Sequence, residues 1–429
     1  MSEIHDKEAY AKIMPGVFEQ YGKNFCCAPW NTLWTSATGD IKYCCASSEI
    51  LGDSSLTIDT IINSPQAKEI RRQFLNNEQP ESCKQCWDKE RGGNFAGSAR
   101  ELSNVQGFES IIDSIAHTKE DGHIDKHNLK FIDVIWTNKC NFACIGCKPS
   151  LSSTIANNYI KEFSILHNHD YAKEQSHEWK NSNDSKIDYV LKHSDSIHTI
   201  HLNGGEPLMA EDLYEFLEVM ISKGLHKKIK IWSHTNGSVK SFKGRDLILD
   251  YFSHWGKNCK ITLSNDGHSK YGEYIRYGYN DKKWLNTYEK IKEAKIEFNV
   301  QTCLNIFNVL YLDEINDWYF SNIIDNEKIP YGTLTLWTNP TLSIRLANHI
   351  PELREQSLNM LTQLQSKKSM QWNKSLVSSH QWLENNTHAD QHHLKSFYNG
   401  VVALDAKRNT NFLETFPLLT DLYNLGKSI

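Results

Sequence analysis

The sequence predicts an α/β protein whose main domain is a partial barrel of six parallel strands. Short β-branched or apolar runs recur from about residue 130 onward, at FIDVIW, SIHTIHL, KIKIWSH, CKITLSN, FNVQTCL and LTLWT. Segments with helical periodicity, such as AEDLYEFLEVMISKG, separate these runs. Alternation of strand and helix indicates a parallel sheet with crossover helices. Six strands favour a partial (β/α)6 TIM-like barrel over the full eight-fold form.

The regions on either side of this domain have a different character. Residues 1–125 are rich in turns and cysteine, with one helix-like segment at SPQAKEIRRQFLNN, and the polar stretch DGHIDKHN suits a linker. The predicted barrel spans 126–345 and includes a long polar insertion at about 151–195. Residues 346–429 are predicted to form a helical C-terminal extension.

Composition excludes several classes of partner. The 429 residues carry a net charge of −5, so no basic field attracts nucleic acid. No apolar run is long enough for a membrane span, and the N-terminal MSEIHDKEAYAKIM lacks the apolar core of a signal peptide. We therefore expect a cytoplasmic protein with neither a nucleic-acid nor a membrane partner.

The cysteines are the strongest chemical signal. Eleven are present, nine of them before residue 148, and a reducing cytosol disfavours a disulfide framework. In NKCNFACIGCK, Cys140, Cys144 and Cys147 directly follow the first predicted strand, at the end where parallel α/β folds hold their active sites. C-x3-C-x2-C supplies three thiolates, whereas a closed structural zinc site needs four ligands. The triplet therefore predicts a metal site with one open position. The isolated Cys259 and Cys303 are typical of small buried hydrophobic residues.

This triplet resembles that of the radical S-adenosylmethionine (SAM) superfamily, and later motifs agree in order. The resemblance implies that the three cysteines hold three irons of a [4Fe–4S] cluster, while the amino and carboxylate groups of SAM chelate the fourth. NGGEPLM is similar to the family's GGEP element, HTNG to the form favoured after the third strand, and LSNDG to the S-x-D-G element with a later arginine. The SAM-binding residues implied are Gly204, Gly205, Glu206, Pro207, Thr235, Asn236, Ser264, Arg276 and Asn305.

The resemblance also implies individual roles. Glycines at 204 and 205 let the backbone approach a ligand closely, and Glu206 can accept hydrogen bonds from the SAM ammonium group. Ser264 would face the SAM ribose or carboxylate, and Arg276 would pair with the carboxylate. One departure concerns adenine, because Gly146 stands where the family often has an aromatic residue that contacts this ring. Another is Asn265, which replaces a β-branched residue.

The upstream cysteines resemble the auxiliary-cluster module called SPASM, or twitch in its shortened form. FCCAPW, TGDIKYCC and PESCKQCWDKE provide the matching pattern, although the module ordinarily follows the barrel. The resemblance implies one auxiliary [4Fe–4S] cluster held by Cys26, Cys44, Cys83 and Cys86. Cys27 and Cys45 are possible alternates. A structural zinc site with four thiolates is the competing interpretation.

These resemblances imply an enzyme that cleaves SAM reductively and removes a hydrogen atom from its substrate through a 5′-deoxyadenosyl radical. Oxidative modification of a peptide or protein side chain is the leading hypothesis, with an electron donor such as flavodoxin or ferredoxin. Against it, the cysteine module begins by residue 26, which leaves no room for the N-terminal peptide-recognition domain of many relatives. A small-molecule substrate, such as a sugar, nucleotide or aminoglycoside, is the alternative, and a non-catalytic iron–sulfur or zinc protein is the hypothesis of another class. His388 and His392, four residues apart, are predicted to lie on the surface.

Overall fold

The computed structural model describes residues 2–36, 39–53, 55–91, 98–101, 103–104, 114–125, 128–173, 190–239, 241–242, 244–323, 331–337, 339–367 and 372–429. The chain forms two compact units. The first comprises Met1–Trp136, His177–Asn203 and Tyr214–Trp232, and the second comprises Thr137–Ser176, Gly204–Leu213 and Ser233–Ile429.

The N-terminal part of the first unit combines short helices with a small antiparallel ladder. Its helices are α1 (Ser2–Tyr21), α2 (Ala28–Asn31), α3 (Ile58–Ile62), α4 (Pro65–Leu75) and α5 (Lys84–Arg91). The predicted segment SPQAKEIRRQFLNN is α4, where the Ser64 hydroxyl accepts from the backbone N–H of Ala67 and proline occupies the first helical position. Strands β1 (Thr32–Thr35), β2 (Asp40–Lys42) and β3 (Gly52–Asp53) pair antiparallel in that order.

Strand β1 also joins the predicted barrel sheet, which the sequence analysis did not anticipate. It pairs in parallel with β4 (Phe131–Thr137), with Thr32 opposite Phe131 and Thr35 opposite Val134. Beyond β4 the sheet order continues with β6 (Thr199–Gly204) and β7 (Lys230–Thr235). The cysteine-rich segment is thus joined by backbone hydrogen bonds to the first predicted barrel strand.

Three strands pass from one unit into the other. β4, β6 and β7 begin in the first unit and end in the second. At the start of β6 the N–H of Thr199 donates to Lys130 O at 3.0 Å, and at its end the N–H of Gly205 donates to Thr137 O at 2.7 Å, as expected of parallel neighbours. The carboxyl ends of all three strands, with the loops that follow, therefore belong to the second unit.

The second unit contains the rest of the sheet. Next to β7 lie β10 (Cys259–Ser264), β12 (Glu297–Leu304) and β13 (Tyr331–Leu336), and the last two pairings are parallel. Two small antiparallel pairs are β5 (Ala143–Cys144) with β11 (Arg276–Tyr277), and β8 (Ser241–Phe242) with β9 (Arg245–Asp246). The six predicted barrel strands are β4, β6, β7, β10, β12 and β13, each beside its predecessor among these six, so the α/β fold class is confirmed.

The helices between and after these strands also follow the prediction. Those within the barrel region are α6 (Ser153–Asn158), α7 (Ile160–His167), α8 (Glu211–Ser222), α9 (Leu247–Asp250), α10 (Ser269–Ile275), α11 (Asp281–Glu293) and α12 (Leu312–Asn322). The helical C-terminus is confirmed as α13 (Pro351–Ser366), α14 (Asn373–Asn385), α15 (Gln391–Arg408), α16 (Phe412–Thr415) and α17 (Thr420–Ser428). No helix in the described ranges is long and apolar enough to span a bilayer.

The predicted insertion is only partly visible in these elements. Its start forms α6 and α7, and α7 packs against α15, where a Cβ on Gly400 would lie 2.5 Å from Leu166 Cα. Residues 174–189 of the insertion lie outside the described residues. The domain boundaries at 125 and 345 stay predictions.

Candidate functional site

The cysteine triplet lies in the loop that follows β4, at the carboxyl edge of the sheet. At the loop's start, Cys140 N–H donates to Ser153 Oγ at 3.1 Å, and the Thr154 hydroxyl donates to Cys140 O at 2.6 Å. Further on, Cys144 lies in β5, opposite Arg276 in β11. Cys147 N–H then donates to Cys144 O at 3.0 Å. Backbone bonds therefore hold the loop in place at each of its three thiols.

Burial makes these thiols hard to ionise. It raises the pKa of Cys140 strongly, and the neighbouring Cys144 thiol raises it further. It also raises the pKa of Cys147, to about 12, again with Cys144 as a contributor. Thiolates are the form that binds iron, so a bound cation would compensate the cost of charging the group.

The GGEP and HTNG elements meet at the same loop. Gly205 N–H donates to Thr137 O at 2.7 Å and Glu206 N–H donates to Lys139 O at 2.8 Å, which joins GGEP to the chain entering the triplet. Glu206 is fully buried and accepts from the Thr235 hydroxyl at 2.9 Å and from Asn236 N–H at 2.6 Å.

Glu206 therefore connects the two elements through its side chain. Desolvation raises its pKa to about 7 despite these donors. The Asn236 amide continues the network, since it donates to Asn141 Oδ1 at 3.1 Å and lies 4.0 Å from Cys140 Sγ.

Arg276 is placed beside the triplet, with an acidic partner that the sequence analysis did not name. Its Nε lies 2.9 Å from Asp266 Oδ2, and its terminal Nη1 lies 4.0 Å from Cys144 Sγ. Asp266 also accepts from Cys303 N–H at 2.7 Å. Asp266 is the fourth residue of LSNDG, so the motif itself carried the signal.

Other predicted SAM residues lie at the same strand ends with different surroundings. Ser264 ends β10 and is half-buried, while Pro207 is buried and begins the short helix after Glu206. Gly204 has φ 142°, a conformation that L-residues rarely adopt. Asn305 is fully buried, and its side-chain amide makes hydrogen bonds within its own loop. It donates to Cys303 O and accepts from Phe307 N–H. Their assignment to SAM stays a prediction.

Two residues from helices hydrogen-bond to backbone carbonyl groups of the triplet loop, and no sequence motif indicated either of them. Arg408, in α15, donates to Ala143 O at 2.6 Å, and its guanidinium carbon lies 4.7 Å from the Tyr277 ring centroid. His167, at the end of α7, donates through Nε2 to Ile145 O at 2.6 Å. The C-terminal stretch ALDAKR thus contributes to the site through packing.

The upstream cysteines come together in the first unit. The pKa of Cys26 is raised by burial and then by the neighbouring Cys27, Cys44 and Cys83 thiols. The pKa of Cys44 is raised to about 12 by burial, with contributions from Cys83 and Cys86. Cys26, Cys44, Cys83 and Cys86 therefore lie near one another, as the donor set predicted for an auxiliary cluster requires, and their role as ligands stays a prediction.

The structure also differentiates the members of each vicinal pair. The Cys27 thiol makes a hydrogen bond to the protein backbone: its Sγ donates to Ser103 O at 2.8 Å, and the residue is completely buried. The backbone N–H groups of Ala46 and Ser47 lower the pKa of Cys44 and so oppose the effect of burial, an influence that supports a thiolate ligand. Cys45 is exposed. This geometry favours Cys26 and Cys44 as ligands.

Two arginines hydrogen-bond within the auxiliary segment, and no sequence motif indicates either of them. Arg71 is fully buried and donates to Gly122 O at 2.7 Å and to Pro29 O at 3.1 Å. Arg100 makes two bonds to the carboxylate of Glu90, at 2.7 and 2.9 Å. Its charge also lowers the pKa of Cys83 and so opposes the effect of burial on that thiol.

The donor sets suit iron–sulfur clusters in their chemistry. In the described parts of the chain, no three His, Cys, Asp or Glu side chains are tight enough to hold a single metal ion. A four-iron cluster needs wider spacing, because each thiolate binds a different iron. Cys140, Cys144 and Cys147 provide three such thiolates beside a guanidinium and several N–H donors, so the residues fit a cluster with one iron left open.

Family comparisons agree with this chemistry. Residues 134–325 match the family model "Radical SAM superfamily", and residues 26–87 match "Iron-sulfur cluster-binding domain", called SPASM. The first model implies a [4Fe–4S] cluster with SAM, and the second implies auxiliary iron–sulfur clusters. Among proteins of curated function, none matches this sequence.

Solved structures show weaker similarity. The enzyme anSMEcpe with bound AdoMet is 16% identical over 55% of this chain and 59% of its own, with a TM-score of 0.36. SuiB of Streptococcus suis bound to the precursor peptide SuiA is 13% identical over 71% of this chain and 65% of its own, with a TM-score of 0.36. This chain thus spans about three-fifths of the length of the first of these structures. No function is transferred from similarities this low.

The family matches place the three-thiol loop, GGEP, HTNG and the Arg276 element within one domain model, and the upstream thiols within the other. The chain therefore carries a radical SAM domain, preceded along the sequence by a SPASM iron–sulfur cluster-binding domain.

Proposed function

We propose that this protein cleaves SAM reductively and uses the resulting radical for the oxidative modification of a peptide or protein side chain. When bound, the reduced cluster and SAM supply a 5′-deoxyadenosyl radical that takes a hydrogen atom from the substrate. The observation that carries the proposal is the convergence of the three-thiol loop with Glu206 and Arg276 in one unit. The combination with a SPASM domain supports the substrate class, since relatives with both domains modify ribosomal peptides and proteins.

The chain's own residues divide the work. Cys140, Cys144 and Cys147 bind the cluster. Glu206 holds the HTNG loop against the triplet through its bonds to Thr235 and Asn236. Arg276 donates toward the Cys144 sulfur and brings a positive charge to the three-thiol loop, where it would attract the carboxylate of SAM. Gly204 and Gly205 leave the backbone beside this position without side chains, and Ser264 offers a hydroxyl to the ribose or carboxylate.

The auxiliary thiols would make the net reaction an oxidation. Cys26, Cys44, Cys83 and Cys86 would hold one additional [4Fe–4S] cluster, which would supply an acceptor for one electron of the substrate radical. With the abstracted hydrogen atom and one further proton, the substrate would then lose two electrons and two protons in total. Flavodoxin or ferredoxin in the cytoplasm is the class of donor that supplies the first electron.

A small polar substrate is the second candidate, and one observation favours it. In the first unit, neighbouring strands β4, β6 and β7 carry Asp133, Asn203 and Trp232. The Asn203 amide donates to Asp133 at 2.7 Å, and the ring of His201 stacks on Trp232 with centroids 4.4 Å apart. A carboxylate, an amide and a half-buried indole on one surface suit a sugar or a nucleotide.

The SAM-cleavage step is tested first, on anaerobically reconstituted protein. We expect the wild type to produce 5′-deoxyadenosine with a strong reductant and the Cys144→Ala variant to produce none, because loss of one thiolate destroys the cluster that exposes the open iron. Visible absorbance and iron content identify the metal. A fully loaded wild type that forms no 5′-deoxyadenosine would overturn the enzyme hypothesis, and zinc in place of iron would overturn both cluster assignments.

The auxiliary cluster and the substrate need separate measurements. Cys86→Ala should lower iron by about four per chain and still allow uncoupled SAM cleavage. Unchanged iron would contradict the auxiliary assignment. For the substrate, peptides and small polar molecules are compared as stimulants of 5′-deoxyadenosine formation, with mass spectrometry for a product two hydrogens lighter. Such a product from sugars or nucleotides alone would replace the peptide hypothesis.

A further inference from the structure

The ring of a tryptophan at the end of the sheet lies directly against Gly146 in the cluster loop. Gly146 lies between Cys144 and Cys147. A Cβ built on it would lie 1.8 Å from Cη2 and 1.9 Å from Cζ2 of Trp337. These distances are far below contact distance, so the six-membered part of the indole occupies the volume that any side chain at 146 would need.

Trp337 is held beside the triplet loop at its backbone. It directly follows β13, and its backbone N–H donates to Leu304 O at 2.9 Å. Its side chain lies near the Cys303 thiol, whose pKa it lowers against the larger effect of burial. The chain at Trp337 is therefore fixed next to the loop that carries the cluster ligands.

The ring is also accessible to a ligand. Trp337 is only half-buried, and Gly146 beneath it is exposed. A large aromatic ring whose backbone is hydrogen-bonded to the neighbouring strand, and which keeps part of its surface open, offers a flat apolar face at low entropic cost.

The chemistry of SAM suggests what this face receives. A SAM molecule held at the three-thiol loop by its amino and carboxylate groups would need a surface near that loop for its adenosine. The adenine is a flat aromatic bicycle, and aromatic side chains bind bases by stacking, largely independently of hydrogen bonds. The three atoms nearest to a Cβ on Gly146 all belong to the ring of Trp337.

We propose that Trp337 provides the adenine-binding face of the SAM site, and that Gly146 is small because this indole occupies its side-chain space. The proposal rests on SAM binding at the three-thiol loop, as in the proposed function. In this proposal, a residue that follows the last strand makes the adenine contact that a side chain at position 146 would otherwise make from the loop.

The test compares affinities for SAM and for methionine on anaerobically reconstituted holoprotein by calorimetry. Methionine shares the chelating groups but lacks adenine. We expect Trp337→Ala to bind SAM about ten-fold or more weakly, with unchanged iron content and with methionine affinity within about two-fold of wild type. Trp337→Phe should keep most of the SAM affinity. Trp318→Ala, which removes a half-buried indole stacked on His268 in the same unit, serves as the matched control.

A double variant makes the test sharper. In Gly146→Tyr/Trp337→Ala the new ring can enter the vacated volume from the loop, and we expect SAM affinity to recover relative to Trp337→Ala. Unchanged SAM affinity in Trp337→Ala, an equal loss for methionine, or loss of iron would each refute the adenine assignment, the last two by showing that the indole only supports the loop. If the wild type binds no SAM, the proposed function falls as well, which separates the two failures.

Discussion

Replacement of Gly205 by alanine should displace the cluster loop. An added Cβ would lie 2.5 Å from Lys139 O and 2.8 Å from Asn138 O, both backbone atoms of the chain that enters the triplet. Backbone carbonyls cannot rotate away as a flexible side chain would, so the loop must shift until ordinary contact distance is restored. The same shift lengthens the bonds that Gly205 N–H and Glu206 N–H donate at 2.7 and 2.8 Å.

The expected cost follows from these contacts. Overpacking in a tight site costs about 1–3 kcal/mol, and the weakening of two backbone hydrogen bonds adds about 1 kcal/mol. We therefore expect the free energy of unfolding of the cluster-free protein to fall by about 2–4 kcal/mol. Because the displaced residues lead directly into Cys140, iron per chain after reconstitution should fall as well.

The assay is urea unfolding of the cluster-free protein together with an iron determination after reconstitution. Gly16→Ala is the matched control: it lies exposed in α1 with no atom within 4 Å of the added Cβ. That change should stabilise by about 0.5–1 kcal/mol, through helix propensity alone. If Gly205→Ala matched this control in both stability and iron content, the reasoning that GGEP supports the triplet by direct backbone contact would be refuted.

Three further predictions concern single side chains. Cys26→Ser should lower iron by about four per chain whereas Cys27→Ser should leave it unchanged, and equal losses would contradict the choice within this pair. Burial raises the pKa of Glu206 to about 7 in the folded protein. Between pH 4.5 and 7 the carboxyl group therefore loses its proton in the unfolded state before it does so in the folded state. The free energy of unfolding of the cluster-free protein should fall by about 3 kcal/mol as the pH rises through that window. Glu206→Gln should lack this component of the pH profile, and an unaltered profile would count against it. Arg276→Met removes a charged donor to Cys144, so the midpoint potential of the cluster should fall by roughly 50–100 mV in an EPR-monitored titration; no change would contradict this contact.

The parts of the fold that were predictable depend on local pattern. The six barrel strands are short β-branched runs separated by helical periodicity, and each functional loop directly follows one of them. Their order along the chain equals their order in the sheet, so the meeting of GGEP with the triplet could be expected before the structure was known.

The parts that were not predictable depend on contacts between distant segments. Pairing of β1 with β4 joins Thr32 to Phe131, and TLWT alone does not indicate a parallel partner. The Gly146–Trp337 contact likewise joins loops after the first and last barrel strands. Arg71 and Arg408 bind carbonyl groups, which have no sequence signature. The sequence could show that residue 146 lacks an aromatic ring, but only the structure shows that the Trp337 ring occupies the space of a side chain at this position.

Through strand β1, the cysteine-rich segment also covers the edge of β4 that would otherwise be unpaired. β4 reads FIDVIWT, and its described part in the first unit is largely buried. Without β1 it would present an unpaired row of N–H and C=O groups beside apolar side chains, which is a template for association with other chains. With β1, β2 and β3 in place, the row ends instead at the two-residue strand Gly52–Asp53, too short to recruit a partner. A truncated protein that begins at residue 126 should therefore aggregate rather than behave as an independent catalytic core.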